Sequence, residues 1–534
     1  LASASNCALD LTYLLEEESA KKSLRWSKSG APLKHRQFIV FEGLGTSETV
    51  GAFNNSIENC LAAILGRVLF RKVDGCFVPY REMLHASGAF LSLIANFEND
   101  LVPLLPSAAP IALDSFPGLY VGRKRRNYEQ ALEEFNSVGF RKSQSHIKMF
   151  LKYEKDVRTL KPERIPRVIS PAGFVYLLLT GSYVKEVEEK IYHSINEMFG
   201  YPVVAKGINY DDLASMVVTN WTEYIDPASI DLDVSKMDQS ISKEMLSWVH
   251  SIIGRCFVGV ERSFILEMLS YSLNPIVSGR ADNGWFKYRV EGTLTSGQMF
   301  TSLTGVLVIC GILYQFCRSY RLRLINCGDD CSLFGELADI RRIPKMLVPL
   351  FKAVGMTIEL GPVNRILEKL EFCQIHVLRD VHTYRSVRNL SAILSKDTVC
   401  LEKIVVPHKL AAWARSVAKG GLACFGGIPI IQNLYSCLLR SHDAYLKTAK
   451  LSKRQGKRMR QYEHQRYLDY TTWGAPMTYR SSVPSDTLRI SFEQAFGVTP
   501  VDQLAMEAYY DNFLFHFEKP CDRDVLETAF SLFI

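Results

Sequence analysis

The sequence predicts an α+β fold, in which short strands form a small antiparallel sheet flanked by helices and the last third of the chain is mostly helical. Three observations predict it. Residues Ser229-Ile-Asp-Leu-Asp-Val234 alternate apolar and polar side chains, the period of a half-buried strand. Residues 321–334 read as two short strands around Gly328-Asp329-Asp330, a hairpin whose turn residues suit tight backbone angles. Apolar positions 241, 245, 248, 249, 252 and 253 then recur at helical spacing, and helical patterns dominate after about residue 386.

Taken along the chain, residues 100–118 carry Pro103, Pro106, Pro110 and Pro117 and read as an extended arm or linker. Residues 185–200 read as an amphipathic helix closed by Gly200, and residues 345–355 as a helix ending at Gly355. From Gly292 to Cys317 there is no charged residue. A membrane span needs roughly 20 mostly apolar residues. The first half of this run is Gly, Thr, Ser and Gln, so a buried helix is expected and no transmembrane span.

Composition narrows the class. The chain has 534 residues, 47% of them hydrophobic, enough to form a core, so disorder as the main state is excluded. At about 150 residues per domain it suggests three or four units. The 13 cysteines are scattered without a C-x-x-C pair and read as reduced thiols, not a disulfide frame. Glu16, Glu17 and Glu18 are incompatible with a secretory signal in the first 30 residues. The net charge of +7 is unevenly spread. Segments 120–126, 141–170 and 447–466 together carry +17, which leaves −10 for the rest. A slightly acidic body with three basic zones is compatible with a polyanionic partner.

The chemistry concentrates in three places. Asp233 closes the first strand and Asp238 follows five residues on, where a helix-capping Asp would also sit. Asp329 and Asp330 are adjacent at a hairpin tip and repel each other unless a cation sits there. If the Asp233 strand lies alongside, three carboxylates converge. Hard oxygen ligands of this kind suit Mg²⁺ or Mn²⁺, and two such ions form the usual clamp for displacement at phosphorus. Between these elements, Thr295-Ser-Gly-Gln-Met-Phe-Thr301 is a Ser-Gly loop running into the uncharged helix. It would let a nucleic-acid backbone approach closely, and it would serve equally as a capped helix start.

Together, in the order Asp-x₄-Asp, Ser-Gly-x₃-Thr, Gly-Asp-Asp, these motifs resemble the palm of a positive-strand RNA virus RNA-dependent RNA polymerase. Leu370-Glu-Phe-Cys-Gln374 resembles the palm-to-thumb hairpin of tombusvirus-like polymerases, and Val387-Arg-Asn with Leu394-Ser-Lys-Asp397 the segment after it. Upstream, Lys148-Met-Phe-Leu-Lys-Tyr-Glu-Lys155, Pro166-Arg-Val-Ile169 and Gly181-Ser-Tyr183 resemble that family's basic fingers motif. Tyr120-Val-Gly-Arg-Lys124, with Tyr128, resembles the segment that admits the template. The resemblance covers about residues 120–400.

It implies a right-hand polymerase with fingers, palm and thumb. Residues 1–60 would be an N-terminal arm bridging fingers and thumb, 61–228 and 254–290 the fingers, 229–253 and 291–385 the palm, and 386–534 the thumb. Asp233, Asp329 and Asp330 would hold two Mg²⁺ or Mn²⁺ ions and catalyse transfer of a nucleotide from an NTP to an RNA 3′-hydroxyl. Asp238 would read the ribose 2′-hydroxyl, and Ser296, Gly297 and Thr301 would form the loop beneath template and nucleotide. Lys148, Lys152, Lys155, Arg164 and Arg167 are the candidate triphosphate contacts. Tyr120, Gly122, Arg123, Lys124, Ser296, Gln298, Arg388 and Lys396 are candidate RNA contacts, with Lys453, Arg454, Lys457 and Arg458 from the last basic zone. The implied partners are template and product RNA, NTPs and other viral replicase proteins. The implied location is the host cytoplasm, peripheral to membrane-bound replication complexes.

Three departures stand out. Where the family usually has Asn paired with the second Asp of the strand motif, this chain has Gly305, and Thr304 or Asn326 are the candidate substitutes. No second Arg follows Pro166-Arg-Val-Ile169, which shifts attention to Arg164 or Lys161. The Lys expected as general acid near Gly355 is absent, and Lys352 is the nearest candidate. Two other readings compete: a non-catalytic RNA-binding scaffold with a polymerase-like fold, and a reverse transcriptase. The complete set of acids opposes the first, and Asp238 and Gly328 oppose the second.

Overall fold

The computed structural model describes residues 2–45, 50–73, 75–80, 88–157, 164–401, 406–461 and 480–517. In the N-terminal part, β1 (Leu24–Lys28) and β2 (Gln37–Val40) precede α1 (Ile57–Ile64), which widens into a π-helical turn at Leu65–Leu69. Ser56 caps α1 by accepting the Asn59 N–H. After α2 (Ala89–Leu101) the proline-rich stretch runs extended, hydrogen-bonded to Cys256 and Ser182 carbonyls and anchored by buried Phe116. Then come α3 (Gly122–Val138), the short strands β3 (Ile147–Lys148), β4 (Phe150–Leu151) and β5 (Val168–Ile169), and the long α4 (Phe174–Phe199). Gly200 ends α4 with φ 76°, a left-handed cap that a side chain would strain.

The middle of the chain carries β6 (Pro227–Val234), α5 (Lys243–Arg255), β7 (Ile276–Ala281), β8 (Gly284–Arg289) and α6 (Thr301–Tyr320). Next are β9 (Arg323–Asn326), β10 (Asp330–Glu336), α7 (Pro344–Ala353) and β11 (Ile358–Asn364). The hairpin β12 (Ile375–Arg379) and β13 (Tyr384–Arg388), α8 (Leu390–Lys396) and β14 (Val399–Cys400) lead to a helical C-terminal region. That region holds α9 (Pro407–Phe425), α10 (Ile431–Thr448), a helical stretch at 453–461, α11 (Asp486–Phe496) and α12 (Pro500–Asn512).

The fold is thus α+β. Its central sheet has the order β9-β10-β6-β11, antiparallel throughout. The period-two pattern of β6 puts Ile230, Leu232 and Val234 into the main core, which they share with α5 and α6. Asp231, on the opposite face, accepts hydrogen bonds from Ser332 (2.6 Å) and Asn364 (3.1 Å). α6 is long and apolar enough to cross a bilayer by length and composition, but 72% of its apolar window is buried inside the protein. Its residues Leu303 to Leu313 are all buried beneath the sheet region.

The first 45 residues are woven into the rest. β1 is an outer strand of a second sheet of order β1-β8-β7-β3. β2 instead pairs with β14, and Phe41 and Leu44 enter the C-terminal helical core. Phe41 stacks on Phe515 and meets Trp413 edge-on, while the hydroxyls of Tyr509 and Tyr510 donate to the carbonyls of Gly43 and Leu44 at 2.9 Å. Burying three aromatic rings against one another contributes several kcal/mol by area alone, at about 25 cal/mol per Å².

Candidate active site

The site is built around the turn between β9 and β10. Cys327 N–H donates to the Asp330 carbonyl (2.9 Å), closing the turn, and Gly328 takes φ 97°, which only glycine adopts without strain. Asn326 is fully buried behind it. Its carboxamide oxygen accepts the Gly328 N–H (2.5 Å), and its nitrogen faces the Val306 carbonyl (3.4 Å) and Cys310 sulfur (3.2 Å). The turn is also clipped to β6, because Val234 N–H donates to the Asp329 carbonyl at 3.1 Å. Register then places Asp233 directly opposite Asp330, with Asp329 beside them. Gly305 in α6 packs against this turn: a Cβ added there would lie 3.2 Å from the Gly328 Cα.

The three carboxylates face a cavity of about 1500 Å³, which Asp238 also lines. Burial, and next the charge of Asp329, hold the Asp330 carboxyl above the ordinary range. Asp238 opens onto the cavity but is otherwise enclosed by protein. Burial first, then Asp329, push it up to about 6, against the pull of Arg167 and Arg67. Acids crowded so that they repel one another, with oxygen donors only, fit hard divalent cations such as Mg²⁺ or Mn²⁺. Among the described residues no group of three or more His, Cys, Asp or Glu side chains comes close enough together to hold a metal ion by itself.

Cations line the same cavity. Lys152, Arg164 and Arg167 line the cavity, as do Tyr120, Lys124 and Lys396. Arg164 pairs with buried Asp156 (2.5 Å), while Lys152 (3.0 Å) and Arg167 (3.6 Å) share Glu154. The Lys124 ammonium lies 4.2 Å from the centre of the Tyr120 ring, a cation–π contact. The Ser-Gly loop is laced to β5: Ser296 donates to the Val168 carbonyl and accepts the Ser170 N–H, each at 3.3 Å. Gly297, at φ 102°, lies against Pro171, where a Cβ would come within 3.1 Å. Thr301 donates back to the Thr295 and Gln298 carbonyls. Gln298 is buried, and its carboxamide oxygen has no hydrogen-bond partner among the described residues.

Several residues expected at the site stand elsewhere. Lys155 turns away from the cavity: it donates to the Lys396 carbonyl and sits 5.5 Å from the Trp413 ring, where burial lowers its pKa to about 8. Arg388 is consumed by Asp397 (2.8 Å), whose other oxygen accepts the Tyr435 hydroxyl (2.7 Å). Lys148 points outward from β3, because its neighbours Ile147 and Met149 take the inward side. Lys352 is exposed on the last turn of α7, whose Leu347 and Phe351 face the core, so it is not a cavity residue. Thr304 is fully buried and donates to the Phe300 carbonyl in its own helix, and Asn326 is committed to the turn, so neither substitutes for the missing Asn. Gly122 and Arg123 are exposed at the start of α3 and do not line the cavity. Lys453, Arg454, Lys457 and Arg458 are solvent-exposed around buried Met459, also away from it. Lys161 lies outside the described residues.

The fold also brings in cations that no motif marked. Residues 203–205 run beside β9, with Asn326 N–H donating to Val203 (2.8 Å) and Ala205 N–H to Asn326 (2.9 Å). This places Lys206 at the Gly328 turn, its ammonium 3.8 Å from where a Gly328 Cβ would lie. Lys236, at φ 50°, donates to the Gly66 carbonyl (2.7 Å); burial, then Arg67, lower its pKa to about 8. Lys236 could have been noticed from its place inside Asp-x₄-Asp. Lys206 and Arg67 carry no spacing signal.

The sequence profile of viral RNA dependent RNA polymerase matches residues 23–518. Among curated relatives, the RNA-directed RNA polymerase of Oat chlorotic stunt virus is 32% identical over 492 residues, 90% of this chain and 64% of that protein. Those of Tobacco necrosis virus (strain D) and Turnip crinkle virus are each 30% identical, covering 90% of this chain and 65% and 60% of the relatives. The chain therefore belongs to the viral RNA-dependent RNA polymerase family, and its relatives are tombus-like. It spans about three fifths of the length of the curated relatives it matches.

Proposed function

We propose that this chain is an RNA-directed RNA polymerase that extends an RNA 3′-hydroxyl with NTPs under template direction, replicating a positive-strand RNA genome. The observation that carries this reading is that Asp233, Asp238, Asp329 and Asp330 line one cavity together with Lys152, Arg164 and Arg167, with Asp233 in register opposite Asp330. The right hand is assigned as follows: the palm is the central sheet with α5 and α6, the fingers are the sheet containing β7 and β8 with α3 and α4, and the thumb is α9 to α12.

Two divalent ions held by Asp233, Asp329 and Asp330 would activate the 3′-hydroxyl and stabilise the leaving pyrophosphate. The chain's own residues orient the reactants. Lys152, Arg164 and Arg167 offset triphosphate charge in a partly enclosed site, where such contacts are strong. Asp238 accepts the ribose 2′-hydroxyl proton in a hydrogen bond, without help from Thr304 or Asn326, so sugar selection rests on it. The polyanion contacts lie along Tyr120, Lys124 and Lys396, and the exposed basic helix at 453–461 tracks RNA further out. We assign the enzyme to the host cytoplasm, at membranes to which other replicase proteins bring it; among the described residues only α6 is long and apolar enough to span, and it is buried.

Primer extension by the purified chain with Mg²⁺, comparing NTPs with dNTPs, tests the function. Templated product from NTPs is expected, and Asp329→Ala should lower it at least 1,000-fold while RNA binding persists. No product from the wild type, or product that survives Asp329→Ala, refutes the reading.

A further inference from the structure

We propose that Arg67, delivered by the π-helical turn Leu65–Leu69, is a triphosphate-binding residue, so that the N-terminal segment completes the nucleotide site. This rests on the polymerase reading above. The chain lacks a second Arg after Pro166-Arg-Val-Ile169, and the two nearby arginines are each partly neutralised: Arg164 by Asp156, Arg167 by Glu154. Arg67 enters the same cavity from a segment 100 residues away in sequence. Its Nε donates to the Ile165 carbonyl at 3.2 Å, which fixes the guanidinium in the cavity near Asp238. Among the described residues no carboxylate forms an ion pair with it.

The backbone around Arg67 is shaped to hold it there. π-Helical turns are rare and cluster at functional sites. Gly66 permits this one: a Cβ there would lie 2.5 Å from Ile165 Cδ1, and its carbonyl receives Lys236. Arg67 and Lys236 are therefore fixed together beside Asp238. A part-buried guanidinium with acids nearby but no direct ion pair costs free energy unless an anion completes it. Fixed fork geometry and permanent charge suit it to phosphate oxygens. Arg164 and Arg167 add like charge nearby, a cluster that a polyphosphate would neutralise.

The test uses inorganic tripolyphosphate as a competitor of single-nucleotide incorporation, together with KM for NTP and direct RNA affinity. For Arg67→Met, tripolyphosphate inhibition is expected to weaken at least tenfold and KM to rise by a similar factor, with RNA affinity unchanged within twofold. Arg67→Lys, which keeps the charge, should retain tripolyphosphate inhibition within about threefold. If Arg67→Met does not fold, Arg67→Gln, which can still donate to Ile165, takes its place in the comparison. Equal losses in the neutral and Lys variants, or no loss in either, overturn the proposal while leaving the polymerase reading intact. A wild-type chain that incorporates no nucleotide defeats that reading instead.

Discussion

Gly305 offers a sharp test of how the turn carrying Asp329 and Asp330 is positioned. In Gly305→Ala the new Cβ would stand 3.2 Å from the Gly328 Cα and 3.7 Å from the Met237 methyl, so backbone, not a flexible side-chain tip, must give way by a few tenths of an ångström. Stability responds weakly. Ala gains about 1 kcal/mol over Gly in a helix interior, and overpacking costs about 1–3 kcal/mol, a net loss of roughly 0–2 kcal/mol. Activity responds more, because the displaced turn carries Asp329 and Asp330. If a 1 Å misplacement costs on the order of 100-fold, a few tenths cost about three- to tenfold in the chemical step. Single-turnover incorporation on a primed template, with thermal melting of the same samples, separates the two effects. Gly305→Asn, which installs the residue usual at this position in the family, should do worse than Ala and not improve discrimination against dNTPs. Activity of Gly305→Ala within twofold of wild type would refute this account of the Gly305–Gly328 contact, as would a loss fully explained by unfolding.

Other outcomes follow from the same geometry. Lys155→Met should leave KM for NTP unchanged within twofold, whereas Lys152→Met raises it severalfold, because only Lys152 lines the cavity; equal effects would contradict this separation. His250 is buried in α5, edge-on to Phe300, and burial holds its pKa down to about 3. The unfolded chain takes up that proton near 6.5 and the folded chain does not, so stability is lost as pH falls from about 6.5 toward 3, by roughly 1.4 kcal/mol at pH 5.5. His250→Leu should therefore lose less melting temperature between pH 7.5 and 5.5 than wild type, and parallel losses would show that His250 is not the group responsible.

The strand at 229–234 and the hairpin around Gly328 were legible because both signals are local. Side-chain alternation decides which face is buried, and a Gly-Asp turn decides where a strand reverses. The helix closed by Gly200 was legible for the same reason, although α4 begins at Phe174, since its first turns are buried and carry no amphipathic stripe. The basic residues were harder. Lys152 and Lys155 are three apart in one motif, yet only one reaches the cavity, because Trp413 and the Lys396 carbonyl capture the other. Arg388 is neutralised by Asp397, nine residues on, a pairing that residue type alone does not show. Thr304 satisfied its hydroxyl within its own helix, a bond no spacing rule reveals.

By itself the sequence determined the acids, their order and the small residues around them, because metal-ligand chemistry and tight turns demand particular residue types at short spacings. Only the tertiary structure decided which cations face those acids. Arg67 and Lys206 come from segments far from those acids in the chain, and a charge acts through distance in space, which sequence separation does not measure.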